Sequence, residues 1–321
     1  MSELARLSER IARKILPISV KQSLKHYLKS TLQEDHPNSI RLLYPIQEKA
    51  RYGYNSPPHS KLLEIISRDR EIYATYLQNF LTYKEDFFQI PKGEWGQPAL
   101  HQQPDEPFWL NRFLPGLDAI SLYGLLCQYR PKRYFEIGSG NSTKFARKAI
   151  QKRALPTQIT SFDPHPRTEI DSLCDRLIRD GVENADLSVF SELEAGDILF
   201  VDCSHYVFMN SDVTVFFLEI LPYLKPGVIV GIHDIFLPYD YPPQWVINHY
   251  SEQYLLAAYL LGGAKQFRCI VPCAYISKDE ALRQIIATNI WQAPEFNDGI
   301  EIVKPWINWL WEGTAFWLET R

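Results

Sequence analysis

No apolar stretch in this chain approaches the ~20 residues that a membrane-spanning helix needs. The first residues lack a continuous apolar core, so no secretory leader is expected. Cysteine is sparse and odd in number. The five are Cys127, Cys174, Cys203, Cys269 and Cys273, and none stands in a C-x-x-C. That argues against a disulfide scaffold and a thiolate zinc site, and for reduced thiols. A basic excess is also missing: 34 Lys and Arg face 38 Asp and Glu. No nucleic-acid partner is expected from such a balance. These absences together point to a cytoplasmic protein.

What is present is ordinary for a globular chain: 321 residues, 45% hydrophobic and 22% charged. The length allows one large domain and a smaller one. In residues 1–30, Leu4, Leu7, Ile11, Ile15 and Ile18 share a helical face that Pro17 disturbs. Arg6, Arg10, Arg13 and Lys14 lie mostly opposite. A basic amphipathic helix can rest on a membrane surface, or pack on its own domain or a second subunit of a homo-oligomer. Residues 59–85 read as helix. Residues 86–114 hold Pro91, Gly93, Gly96, Pro98, Pro104 and Pro107 and read as a linker or lid. The expected division is a helical extension and lid over 1–100, then an α/β domain over 101–321.

From about residue 115 strands and helices alternate, which predicts a doubly wound, mostly parallel sheet. GLDAISLYGLLCQY is a helix. RYFEI and QITSF follow as strands, then a helix around IDSLCDRLIRDG. DLSVF, DILFVD and VIVGIHD are the next strands. A helix over 244–261 precedes the strand QFRCIV. An insertion over about 274–312 separates it from a final aromatic strand in GTAFWLETR.

The segment RYFEIGSGNST, residues 133–143, reads as strand, glycine turn and helix N-terminus. Glycine permits φ > 0 and close approach of a ligand to the backbone. The helix start offers unpaired N–H groups. A dinucleotide fingerprint needs a third glycine, and Thr143 stands there instead. Glu136 under the turn would repel a pyrophosphate but suits a cationic ligand. S-adenosylmethionine (SAM), with its sulfonium and ammonium, fits.

Here the chain resembles the class I SAM-dependent methyltransferases, whose first motif is E/D-x-G-x-G. EIGSGNST, SFDPHP, GDILFVDCSH, LKPGVIVGIHD and the terminal TAFWLE occur in the family's order. D-x-S-H followed by H-D resembles the branch associated with small molecules and glycans. The resemblance implies a Rossmann-like seven-stranded sheet with the last strand antiparallel. It implies that Glu136, Gly138, Ser139, Gly140, Asn141, Ser142 and Thr143 hold the methionine part of SAM. Asp163, 25 residues after Gly138, would hold the ribose hydroxyls, and Asp202 would face the methionine moiety or the acceptor.

His205, His233 and Asp234 are the catalytic candidates. A neutral imidazole can take a proton from a hydroxyl acceptor. The expected reaction is O-methylation of a small molecule or glycan. Some relatives bind Mg²⁺ at the ends of strands four and five, but a His beside an Asp departs from the all-oxygen pattern and suits a softer ion. A resident divalent metal is therefore not favoured. Tyr239, Tyr241, Trp245 and Asp240, with Trp291, Trp306, Trp309 and Trp311, are candidate acceptor walls. Three rival readings stand: a non-catalytic interaction subunit on the same fold, an NAD(P)-dependent oxidoreductase, and a metal-dependent oxygenase using His205, His233 and Asp234.

Overall fold

The computed structural model describes residues 47, 49–98, 102–166, 169–263, 265–296 and 310–321. Residues 48–321 form one compact unit. The amphipathic segment at 1–30 and Trp306 and Trp309 lie outside the described residues.

Seven strands form one sheet in the order β3-β2-β1-β4-β5-β7-β6. They are β1 (Arg133–Ile137), β2 (Gln158–Phe162), β3 (Arg176–Ile178), β4 (Ile198–Val201), β5 (Ile229–Ile232), β6 (Phe267–Pro272) and β7 (Phe316–Thr320). β1 to β5 are parallel, and β7 runs antiparallel to both β5 and β6. This is a Rossmann-like doubly wound sheet with β7 inserted antiparallel between β5 and β6. β4 and β5 are buried along their whole length, as expected of parallel strands covered on both faces.

Among the described residues four helices precede β1, the first three being α1 (Ser60–Ser67), α2 (Arg70–Phe80) and α3 (Lys84–Phe88). They belong to the same compact unit as the sheet. Arg70 makes a bidentate ion pair with Asp279, at 2.7 and 2.8 Å. α4 (Gly116–Tyr129) is apolar on nearly every face and accordingly buried. Gly124 lets Phe80 of α2 lie against it, since a Cβ there would stand 2.2 Å from the Phe80 ring. α5 (Asn141–Arg153) follows β1, and Lys152 and Arg153 suit its C-terminal dipole. Later helices are α6 (Asp212–Val215), α7 (Glu252–Leu261), α8 (Cys273–Lys278) and α9 (Glu280–Ile286).

The segment between β2 and β4 differs from expectation. Residues 171–173 form only a 3-10 turn, and 176–178 form β3 in place of a helix. DLSVF is not a strand but the start of a 3-10 turn, Leu187–Glu192, begun by the Asp186 carboxylate accepting from Ser188 N–H. Its apolar run is explained by packing: Phe190 stacks on Phe162 at 4.9 Å and Val189 is buried. β3 is an exposed edge strand, so it carries little apolar signal. The expected helix over 244–261 is also broken. Pro243–Asn248 is a 3-10 turn, His249 takes φ 56°, and α7 begins at Glu252.

Candidate active site

β1 ends at the glycine turn. Gly138 has φ 78°, and a Cβ there would lie 1.8 Å from the Asp202 carbonyl oxygen, so only glycine fits. Its N–H donates to Phe162 O at 2.9 Å, which joins the turn to the end of β2. Gly140 N–H donates to Thr143 Oγ1 at 3.0 Å, and the Thr143 hydroxyl donates to Glu136. Tyr134 OH donates to the other Glu136 oxygen at 2.8 Å. Glu136 is fully buried and braces the turn from behind. Burial pushes its carboxyl up to about 7, against hydrogen bonds from Ser142, Thr143 and Tyr134.

A cavity of about 510 Å³ opens in front of the turn. Gly138, Ser139, Gly140, Asn141 and Ser142 form one wall. Asp163 forms another, with one oxygen accepting from Ser139 N–H at 2.7 Å and the other from His165 N–H at 2.8 Å. Asp163 thus fixes the turn while each oxygen keeps a further lone pair for a ligand. Asp202, whose backbone adjoins Gly138, also lines the cavity. Glu136 and Thr143 support the wall without lining it.

Behind Asp202 lies a buried cluster of acids and imidazoles. His205 Nε2 is 3.4 Å from both Asp202 and Asp234, and its Nδ1 is 2.8 Å from Glu252 Oε2. His233 Nδ1 is 3.5 Å from Asp202 and 3.4 Å from Asp234, and its Nε2 is 3.2 Å from Asp118 Oδ2. His205 and Asp234 reach these positions with φ of 64° and 56°, a left-handed backbone uncommon outside glycine. Burial alone would lower both imidazoles. The surrounding carboxylates outweigh it and hold both well above the ordinary histidine range. Burial opposes ionisation of Asp202, yet His233 and His205 hold it well below the usual carboxylate range. Burial raises Asp234 and Glu252.

The structure therefore brings all four strand-end candidates together, with Asp202 facing the cavity and His205, His233 and Asp234 behind it. Two members had not been singled out from sequence. Asp118 is a lone acid inside the otherwise apolar helix α4, an anomaly visible in the sequence. Glu252 resembles any acid in the first turn of a helix and gave no signal.

The lid segment behaves as a wall. Asn111 donates to the Phe108 and Leu114 carbonyls and accepts from the Phe113 and Leu114 N–H groups, holding the loop that lines the cavity. Lys144 of α5 is buried and donates to Pro104 O at 2.5 Å. The aromatic loop after β5 turns elsewhere. Tyr241 and Trp245 pack with Phe236, Tyr250 and Tyr254 rather than along this cavity. Asp240 accepts from the Arg51 and Tyr52 N–H groups and from Tyr254 OH, so it anchors residues 51–52. Trp291 packs on Trp109 and Phe296.

The cluster also bears on a metal. Asp202, His233 and Asp234 each offer a ligand atom, all within 4.8 Å of one another. His233 Nδ1 is buried and makes no hydrogen bond. An imidazole nitrogen does not suit the hard, all-oxygen shell of Mg²⁺, whereas a mixed nitrogen and oxygen set suits a first-row transition ion. The expectation against a metal rested on one His beside one Asp. The folded chain assembles more donors than that.

Residues 135–235 match a family model described as a methyltransferase domain. No curated protein matches the chain. Among solved structures, one of cmcI with Mg-SAM is 18% identical at a TM-score of 0.31, over 46% of this chain and 60% of that one. The plantazolicin methyltransferase BpumL, in complex with SAH and a pentazolic desmethylPZN analog, is 13% identical at a TM-score of 0.41, over 82% of this chain and 99% of that one. BpumL in complex with SAH is 11% identical at a TM-score of 0.36. No helix among the described residues is long and apolar enough to cross a membrane.

Proposed function

We propose that this SAM-dependent methyltransferase transfers the sulfonium methyl group to an oxygen of a small molecule or glycan. One observation carries the reading: a single cavity is lined by the 138–142 turn, by Asp163 and by Asp202. Its volume of about 510 Å³ falls in the range of small-ligand sites. The turn, braced by Glu136 and Thr143, holds the methionine part, and Asp163 takes the ribose hydroxyls. Asp202 receives the acceptor hydroxyl, and His205, His233 and Asp234 stand behind it.

In the reaction the acceptor oxygen attacks the methyl carbon, the new O–C bond forms and the C–S bond breaks. The electron pair stays on sulfur, giving neutral S-adenosylhomocysteine (SAH). The hydroxyl proton becomes strongly acidic as the O–C bond forms, so a carboxylate of low basicity suffices to receive it. Asp202 is the group that faces the cavity, and the deprotonation expected of His205 or His233 is assigned to it with the imidazoles spreading the charge. Positioning supplies the remainder of the effect.

Calorimetric titration with SAM and SAH, with NAD⁺ as control, tests the cofactor. Binding of both adenosyl ligands and none of NAD⁺ is expected. Asp202→Asn should then keep SAH affinity within a few fold and lower acceptor-dependent SAM turnover by roughly 100-fold. NAD⁺ binding, or unchanged turnover in Asp202→Asn, would overturn the reading.

A further inference from the structure

Lys144, the fourth residue of α5, lines the cavity although only 5% of its surface is exposed. Its Nζ donates at 2.5 Å to the carbonyl of Pro104, which lines the cavity as well. Among the described residues no carboxylate pairs with it, and Asp105 acts on it only at longer range. The more open cations of α5 are better served. Arg147 meets Asp175 at 2.6 Å, Lys148 meets Glu106 at 3.2 Å and Arg153 meets Asp86 at 2.5 Å. Lys152 is exposed to water. The one buried cation of the helix thus has a neutral partner.

A charge taken out of water without a counter-charge is costly. Burial accordingly draws this ammonium below its ordinary range. Lysine has three N–H donors and the Pro104 carbonyl takes one, which leaves two for a ligand. We propose that Lys144 seats the carboxylate of SAM, and that this contact ties the loop 102–108 to the bound cofactor. The inference rests on the reading of this cavity as the SAM site. The carboxylate is the one anionic group of SAM and of SAH, and a cation repels their ammonium. The start of α5, where Asn141 and Ser142 line the same cavity, favours a ligand of the same sign.

The loop is built to be held this way. Gln102 Nε2 donates to the Glu106 and Pro107 carbonyls at 3.1 and 3.0 Å, which draws its two ends together. Lys144 and Lys148, one helical turn apart, grip it at Pro104 and Glu106, and Phe108 turns to the cavity. A carboxylate beside Nζ offsets the burial of its charge and keeps the ammonium where it also holds Pro104. Cofactor and loop then stabilise each other through one nitrogen, and the coupling is reciprocal. An adenosyl ligand without a carboxylate fills the cavity but leaves the loop no firmer than before.

Three ligands test it by calorimetry: SAH, decarboxylated SAH, which keeps the amine and the adenosine, and methylthioadenosine, which keeps neither carboxylate nor amine. The parent protein should bind decarboxylated SAH about 10–100-fold more weakly than SAH, the size of lost hydrogen bonds between charged groups. Lys144→Met should weaken SAH by a similar factor and leave methylthioadenosine within a factor of about three. Hydrogen exchange over residues 102–108 should slow when SAH binds the parent, but not with methylthioadenosine, nor with SAH in Lys144→Met. Equal affinity of the parent for SAH and decarboxylated SAH would overturn the assignment and give the seat to an anion of the acceptor. A Lys144→Met protein that loses SAH and methylthioadenosine alike would make Lys144 a structural prop, which also overturns it. Should the parent bind none of the three, the reading of the cavity falls together with the inference. The ligand comparison on the parent needs no variant, so it decides even if Lys144→Met fails to fold.

Discussion

His233 Nε2 lies 3.2 Å from Asp118 Oδ2, and that contact ties the end of β5 to the first turn of α4. The same Asp118 carboxylate accepts from the Thr314 and Ala315 N–H groups ahead of β7. Three elements distant in sequence therefore meet at one acid with no exposure to solvent.

Asp118→Asn should be costly, because it leaves an imidazole among acids with a weaker partner and turns one acceptor into a donor. A loss on the order of 3 kcal/mol is expected for breaking a buried pair of this kind. Urea unfolding of the variant against the parent measures it. A difference below about 0.5 kcal/mol, the range of ordinary surface changes, would mean that the contact is passive.

Gly138→Ala should abolish SAH binding. The added methyl would meet the Asp202 carbonyl at 1.8 Å, at a φ of 78° that alanine resists. Overpacking and backbone strain together should cost about 2–4 kcal/mol. Calorimetry and thermal melting read both effects, and retention of SAH binding would show that the turn can open without penalty.

Asp163→Ala removes the acceptor of Ser139 N–H and leaves the proposed ribose contact empty. SAM and SAH affinities should both fall by about 100-fold, the size of a lost pair of hydrogen bonds to a charged group. A drop of less than threefold would mean that Asp163 serves only as the local cap of the 163–165 turn.

The Glu136 carboxyl gives a pH dependence with a definite sign. Its ordinary value of 4.5 is raised to about 7 in the folded chain. A raised acid stabilises the fold fully below about pH 4.5, and that contribution is lost as pH rises through about 7. Ligand-free protein should therefore lose on the order of 3 kcal/mol from this group between pH 5 and 8. Glu136→Gln should flatten the slope, and parallel melting curves for the two proteins across that range would contradict the assignment.

The sheet and the glycine turn were legible because their signals are local. A buried strand, a glycine at forced φ and a polar helix start all lie within residues 133–143. The strand-end acids were legible through the topology that alternation implies. β3 was not, since an edge strand of three residues buries too little to leave an apolar pattern, while Phe190 and Val189 imitate a strand by plunging into the core. The role of Asp118 was out of reach for a different reason. Its partners Thr314 and His233 stand 196 and 115 positions away, and only the closed sheet brings them near. The aromatic loop misled because Tyr241 and Trp245 both pack on Phe236 and leave the cavity to Phe108, Phe113 and the glycine turn.

The placement of β7 carries a consequence for biosynthesis. β6 pairs with β7 and with no other described strand, and β5 needs β7 to cover its outer edge. While residues 316–320 are still on the ribosome, both edges stand open, and Asp118 waits for the Thr314 and Ala315 amides. The nascent chain can complete the β3-β2-β1-β4-β5 half early, because those pairings are already available. The cluster around Asp118 can assemble only after β7 has threaded between two strands that were made before it. A stalled or truncated product should therefore hold a formed glycine turn beside an unfinished acid and imidazole cluster, with exposed strand edges that invite chaperones.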